Sequence, residues 1–119
     1  MTPDSAEATL AEILRLDVFP RQIGLEPSPA DRAAALALAT ELVASGRDKN
    51  LPPHLRACAF LPFLHGDMPI DRERAVALFA GLRRETGDAL FERAYEAAMR
   101  GRDALADGFT PGPRSGPRP

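Results

Sequence analysis

A chain of 119 residues is long enough for one hydrophobic core and too short for two. Its 45% apolar and 27% charged residues, with a net charge of -2, are typical of a globular domain and exclude a disordered chain. Fifteen Lys and Arg alternate with seventeen Asp and Glu, which leaves no basic block for phosphate backbones, so we expect no nucleic-acid partner.

The first predicted helix covers residues 5 to 18. Asp4 and Glu7 have the spacing of a capping box at its start. The pair Phe19-Pro20 is expected to end it, because proline disfavours helical backbone in the residue before it. Residues 21 to 27 are then predicted to form a loop.

The second predicted helix runs from Pro29 to about Ser45. Ser28 and Pro29 are residue types favoured at the N-cap and at the first helical position. Gly46 follows where a left-handed residue ends many helices. The predicted buried face of this second helix consists of Leu36, Ala39, Leu42 and Val43.

The third predicted helix opens at Pro52-Pro53 and reaches Leu64. It is apolar on more than one face, which predicts the central and most buried helix. Pro62 removes one backbone hydrogen bond, so the last turn should be kinked or the helix should end early. His65-Gly66-Asp67 is the predicted turn that follows.

Two further helices are predicted in the second half of the chain. The fourth begins at Met68-Pro69 or at Asp71 and ends before Gly87, and the fifth is capped by Asp88 and ends near Gly108. Residues 110–119 contain four prolines, two glycines and no large apolar side chain. We therefore predict one helical domain over residues 1–109 and a disordered tail over 110–119.

No segment alternates apolar and polar residues over the length of a strand. The predicted fold class is all-α, with about five helices packed as antiparallel hairpins, the second with the third and the fourth with the fifth.

The cellular setting is suggested by Cys58 and by the N-terminus. A single cysteine excludes an internal disulfide framework and fits a reduced compartment. The N-terminus has no basic region followed by an apolar block, and no run approaches the roughly 18 apolar residues of a membrane span. We expect a cytoplasmic protein without a membrane partner.

Four short elements stand out along residues 13 to 79. They read Asp17-Val18-Phe19-Pro20-Arg21-Gln22, Leu51-Pro52-Pro53 with Arg56, Leu61-Pro62-Phe63-Leu64-His65-Gly66-Asp67-Met68, and Arg72-Glu73-Arg74-Ala75-Val76-Ala77-Leu78-Phe79. In order and approximate spacing they resemble the D-Q-F-P-R-N, L-P-P, L-P-F-x-H-S-E-D and Q-E-R-S-V-x-L-F motifs of a bacterial family of unknown function, the domain-of-unknown-function family nine-two-four.

The resemblance implies a tetratricopeptide-like helical fold. The chain departs from the family motifs at Val18, Gln22, Gly66 and Asp67, where the family has Gln, Asn, Ser and Glu. The apolar and proline framework is retained while polar positions are altered, so the resemblance supports the fold more than an activity. It marks Arg21 and Arg74 as the basic residues of interest.

His65, at the end of the central helix, has two interpretations. It is a structural imidazole hydrogen-bonded to carbonyls, Asp67 or Asp71, or it is a functional group in a groove. Asp67, Asp71 and Glu73 are either helix-capping acids or a general acid and base pair.

Arg21 and Arg74 also have two interpretations. Either could form an ion pair with Asp17 or Glu73 that holds the first loop to the central hairpin, or bind an anion.

A metal site is not predicted. His54, Cys58 and His65 share one helix face, but the two histidines are roughly 16 Å apart along the axis, beyond the reach of one ion. The sequence also lacks a Gly-rich phosphate loop and a paired-cysteine motif. We assign no cofactor and no catalytic residue.

The leading functional hypothesis is a protein- or peptide-binding module, by analogy with other helical-hairpin proteins. The alternative is a small-molecule-binding or hydrolytic domain with a polar site at Arg21, His65, Asp67, Glu73 and Arg74. A third possibility is a subunit that completes a larger assembly. A groove with exposed apolar side chains would favour the first, and a polar pocket converging on His65 the second.

Overall fold

The computed structural model describes residues 5 to 108, with side chains through residue 105. Its α-helices are α1 (Ala6–Ile13), α2 (Phe19–Gln22), α3 (Pro29–Ala44), α4 (Pro53–Leu64), α5 (Pro69–Thr86) and α6 (Ala89–Gly108). A π-helical segment, Leu14–Val18, joins α1 to α2 in one continuous first helix, and a 3₁₀ turn, Arg47–Asn50, precedes α4. The described residues thus form five helices and no strand, which confirms the all-α class. The predicted tail, 110–119, lies outside them.

Local capping signals explain most helix boundaries. The Ser28 side chain accepts a hydrogen bond from the Asp31 N–H at 3.1 Å, and Asp88 Oδ1 accepts from the Leu90 N–H at 2.8 Å, as predicted. The first helix is capped by Ser5, whose hydroxyl accepts from the Ala8 N–H at 3.0 Å. The predicted cap, Asp4, lies outside the described residues.

Left-handed glycines end two helices, as predicted for Gly46. Gly46, after α3, has φ 80°, and Gly87, after α5, has φ 68°. Of the two predicted starts for α5, the structure uses Met68-Pro69, with Pro69 as the first helical residue.

The predicted end of the first helix at Phe19-Pro20 is wrong. The helix continues through Pro20 to Gln22, because the turn before the proline is a π turn in which the Phe19 N–H donates to the Leu14 carbonyl five residues back. A proline normally collides with the carbonyl four residues before it. The wider π turn repositions the carbonyls, so the ring is accommodated without ending the helix.

Helix α4 lies at the centre of the core, as predicted. Its Ala59, Phe60 and Phe63 are buried, and Phe60 meets Phe79 of α5 edge to face with ring centroids 6.0 Å apart. The helix continues through Pro62 to Leu64. The other large buried side chains of the core cluster are Leu10, Ile13, Leu42, Leu51, Leu82 and Phe91.

Helices α5 and α6 make the most extensive contact in the described part of the chain, as expected of a hairpin. Helix α4 packs on α5 and also contacts α3, while α1 packs on both α3 and α4. The turn from α4 to α5, residues 65–68, therefore lies close to the first helix and to the start of α3. Among the helices described, none combines the length and the apolar composition that a membrane span requires.

Candidate functional site

Asp17 and His65 meet although 48 residues separate them in sequence. Asp17 belongs to the π-helical segment and is 1% exposed, and His65 is the residue that ends α4. His65 Nδ1 lies 2.7 Å from Asp17 Oδ2. The partners proposed from the sequence, namely Asp67, Asp71 or a carbonyl, are therefore wrong, because α1 and α4 pack together and bring a distant acid to the imidazole.

The second oxygen of Asp17 is taken by Arg21, one helical turn further along. Arg21 Nε donates to Asp17 Oδ1 at 3.2 Å, which confirms the predicted ion pair of Arg21. Burial alone would raise the pKa of Asp17, but the hydrogen bond and charge of His65, followed by those of Arg21, outweigh it and hold the pKa below its ordinary value. Asp17 is accordingly an ionised carboxylate at neutral pH.

The ionised Asp17 orients the imidazole of His65. Its carboxylate can only accept a hydrogen bond, so His65 Nδ1 carries a hydrogen and donates it to Asp17. Nε2 has no hydrogen bond to any described residue, and the side chain is 26% exposed. The hydrogen bond to Asp17 thus fixes the imidazole of His65, while its second nitrogen, Nε2, is available to another molecule.

His65 lies on the wall of a cavity of about 330 Å³ between the start of α3, the end of α4 and the start of α5. Its polar lining residues are Asp17, Arg32, His65, Asp67 and Asp71, and its other lining residues are Pro29, Ala33, Leu36, Pro62, Gly66 and Met68. The volume falls within the range of about 300–1,000 Å³ that is typical of small-molecule sites.

Arg32 and Asp67 form an ion pair across this cavity, from α3 to the turn before α5. The Arg32 side chain is mostly buried, while that of Asp67 is mostly exposed. Arg32 was not among the site residues predicted from the sequence. It lies on the same helical face as Leu36, four residues later, but helical spacing alone does not say which turn that face meets.

The turn itself is held by α5 and α6. Gly66 lies directly against Asp71, so that a Cβ at Gly66 would be 2.5 Å from Asp71 Cβ. Arg72 Nε donates to the Gly66 carbonyl at 2.6 Å, and its Nη1 donates to the Gly101 carbonyl of α6 at 2.9 Å. Both the close approach and the arginine clamp fix the backbone that carries His65.

Two of the predicted site residues lie away from the cavity. Glu73 forms an ion pair with Arg102 of α6 at 3.6 Å. Arg74 places its guanidinium 5.7 Å from the centre of the Phe63 ring, so it makes a cation–π contact in place of the suggested ion pair. Of the predicted site residues, His65 and Asp67 both line the cavity. Arg21 is connected to His65 through Asp17, which binds both side chains.

Within the described residues, no group of three or more His, Cys, Asp and Glu side chains could hold a metal ion. Burial raises the pKa of the Cys58 thiol, which is therefore protonated at neutral pH and packs against the core.

A second cavity of about 150 Å³ lies between α4, α5 and the 3₁₀ turn. It is lined in part by Arg56, which donates to Glu85 at 2.8 Å and to the Leu51 carbonyl at 3.0 Å. This volume is about half that of the smallest typical small-molecule sites. The larger cavity is therefore the candidate site.

Two of the four motif elements line this cavity, the first with Asp17 and the third with His65, while Arg72 of the fourth holds the turn through the Gly66 carbonyl. A family model described as "Bacterial protein of unknown function (DUF924)" matches residues 2–108 of the chain. The chain belongs to this family. A search of curated proteins and a search of solved structures each found no match. Membership confirms the resemblance, and the family's description names no activity.

Proposed function

We propose that this DUF924 protein binds a small molecule in the cavity beside the turn at residues 65–67. The observation that carries the proposal is His65, which lines the cavity and whose Nδ1 is held by a buried carboxylate, while its Nε2 has no hydrogen-bond partner among the described residues. A polar pocket converging on this histidine is the feature that distinguishes a small-molecule site from a protein-binding groove.

Burial of Asp17 supports a functional role for the pair. An ionised carboxylate removed from water is costly unless it is paired and hydrogen-bonded, and a leucine in its place would pack without that cost. The buried carboxylate instead fixes the orientation of the His65 imidazole at the cavity. Preorganisation of this kind lowers the entropy cost of binding a ligand.

The proposed activity is binding. The described lining of the cavity contains no Ser, Thr or Cys, so it offers no hydroxyl or thiol nucleophile.

The test uses two alanines on the exposed part of α3. Ala33 lines the cavity, and Ala37, one turn later, does not. Ala33→Phe should fill the cavity, and Ala37→Phe adds the same side chain outside it. In ligand-observed NMR with a mixed fragment library, fragments should bind the unmodified chain and Ala37→Phe but not Ala33→Phe. Absence of any binding fragment, or binding that survives Ala33→Phe, would overturn the proposal.

A second candidate is the protein- or peptide-binding function suggested by the sequence. Phe19, Ile23 and Leu25 are 52%, 74% and 59% exposed within one short segment at the end of the first helix. Clustered exposed apolar side chains are typical of interaction surfaces. A cytoplasmic setting and a tetratricopeptide-like arrangement of the helices belong to the same proposal.

The second candidate is tested by affinity capture from the host cell lysate followed by mass spectrometry. The double variant Ile23→Ser and Leu25→Ser should lose a partner that the unmodified chain retains. Leu90→Ser, at a similarly exposed position on α6, is the matched control and should retain it. Equal recovery with all three chains would count against this surface.

A further inference from the structure

Three carboxylates line the candidate cavity, and two of them have cationic or histidine partners. Asp17 is bound by His65 and Arg21, and Asp67 is bound by Arg32. The third, Asp71 at the start of α5, makes no side-chain hydrogen bond and no ion pair with any described residue. It is the carboxylate whose charge the surrounding side chains leave uncompensated.

Asp71 is also buried, with 6% of its surface exposed. Its side chain lies against Gly66, and what remains exposed faces the cavity. The neighbouring Arg72 does not pair with it, because Arg72 Nε and Nη1 donate to the backbone carbonyls of Gly66 and Gly101. A buried carboxylate without a partner is strongly unfavourable and is stabilised by any cation or hydrogen-bond donor that reaches it.

His65 also lines the cavity, and its Nε2 has no hydrogen bond to any described residue. The one arginine among the described lining residues, Arg32, pairs with Asp67 through Nη2. Asp71 is therefore the lining carboxylate that is left for a cationic ligand.

From this arrangement we infer that the ligand class is a small organic ammonium ion, with a primary amine paired to Asp71 and an apolar stem. The inference rests on the proposed function. An ammonium group carries a positive charge and three N–H donors, which complement the unpaired carboxylate of Asp71. The stem lies along the apolar lining from Ala33 and Leu36 of α3 to Pro62 of α4.

Three probes of equal length separate the head groups: n-pentylammonium, 1-pentanol and pentanoate. Their binding is measured by NMR chemical-shift titration of the full chain at about pH 7, where the amine is charged. Pentylammonium should bind at least about ten-fold more tightly than pentanol, the gain typical of a hydrogen bond to a charged group, and pentanoate should bind most weakly.

The variant Asp71→Asn keeps the shape of the side chain and removes its charge. It should weaken pentylammonium binding by about ten-fold or more and leave pentanol binding nearly unchanged. Glu96→Gln, at an exposed position on α6 outside the cavity lining, removes the same charge elsewhere and should change neither. Equal weakening by both variants would indicate only a general electrostatic effect and would overturn the inference.

The outcomes separate the ligand class from the site. If pentanol or pentanoate binds as tightly as pentylammonium, and Ala33→Phe abolishes that binding, the ligand class is wrong and the proposed function holds. If no probe and no library fragment binds, the proposed function itself fails. The comparison of the three probes on the unmodified chain needs no variant, so it decides the ligand class even if Asp71→Asn does not fold.

Discussion

The carboxylate of Asp17 is enclosed on the inner side of the first helix, and a different side chain binds each of its oxygens. Arg21 reaches it from the same helix, while His65 reaches it from the end of α4. Only the second contact joins distant parts of the chain. Removal of His65 would leave Asp17 buried with one partner, and the cost would include the loss of hydrogen bonding to that charge.

The coupling between Asp17 and His65 is measurable. Asp17→Ala and His65→Ala should each lower the free energy of unfolding by about 1–3 kcal/mol. The double variant should lose less than the sum of the two, by about 0.5–3 kcal/mol, because each single change already breaks the shared contact. Urea unfolding of the four chains gives these values. Additive losses would show that the contact between Asp17 and His65 contributes nothing to stability. The exposed His54 provides the control, because His54→Ala should change the free energy of unfolding by less than about 0.5 kcal/mol.

The pH dependence of stability follows from the lowered pKa of Asp17. Because the folded chain binds a proton at this carboxyl less readily than the unfolded chain, the Asp17 contribution is complete above the unfolded pKa of about 3.9. It is lost as the pH falls through the lower folded-state value. As the pH falls below about 4, Asp17→Asn should lose less stability than the unmodified chain in unfolding experiments. Parallel curves for the two chains would contradict the assigned shift.

At the scale of the elements, the turn between α4 and α5 depends on Gly66. A methyl group there would lie 2.5 Å from Asp71 Cβ and 2.9 Å from its Cγ, and atoms so near the backbone cannot move aside freely. Gly66→Ala should therefore destabilise the protein by about 1–3 kcal/mol.

Gly81 is the matched control for this substitution. It lies inside α5, and no atom is within 4 Å of a Cβ placed there. Gly81→Ala should stabilise the protein by about 0.5–1 kcal/mol, because alanine favours a helix interior. Thermal unfolding of both variants measures the effects, and a neutral Gly66→Ala would mean that α5 shifts readily.

Several elements could be predicted because their signals are local. Ser28, Gly46 and Asp88 lie within a few residues of the helix ends that they define. The end of the first helix could not be predicted from such local signals. The Phe19-Pro20 pair usually ends an α-helix, but a preceding π turn accommodates it, and the presence of a π turn depends on packing.

The candidate site was predictable only in part. His65 and Asp67 were identified from the turn that contains them. Asp17 was considered as a partner for an arginine and not for His65, because the sequence does not indicate which helix faces meet. The same limit hid Arg32 on α3, and Asp71 resembled an ordinary capping acid at a helix start.

At the scale of the whole molecule, the C-terminal hairpin supports the site through Arg72. This side chain reaches from α5 to the Gly66 carbonyl on one side and to the Gly101 carbonyl on the other. The last helix is therefore connected to the turn that carries His65, although none of its described side chains lines the cavity.

The domain boundary predicted from composition gives a test of this organisation. A chain ending at residue 109 should unfold at the same temperature as the full chain, because residues 110–119 offer no large apolar side chain for burial. A chain ending at Arg100 also lacks Gly101 and should unfold several degrees lower. A lower unfolding temperature for the first truncation would show that the tail packs on the domain.

The π turn at Leu14–Val18 contains one residue more than the α turn that it replaces. Deleting a single residue there would rotate α1 by about 100° relative to Asp17. The shortened chain could bury Leu10 and Ile13 or join Asp17 to His65, but not both. Among relatives that differ in length at this point, we therefore expect the insertion, the aspartate and the histidine to be inherited or lost together.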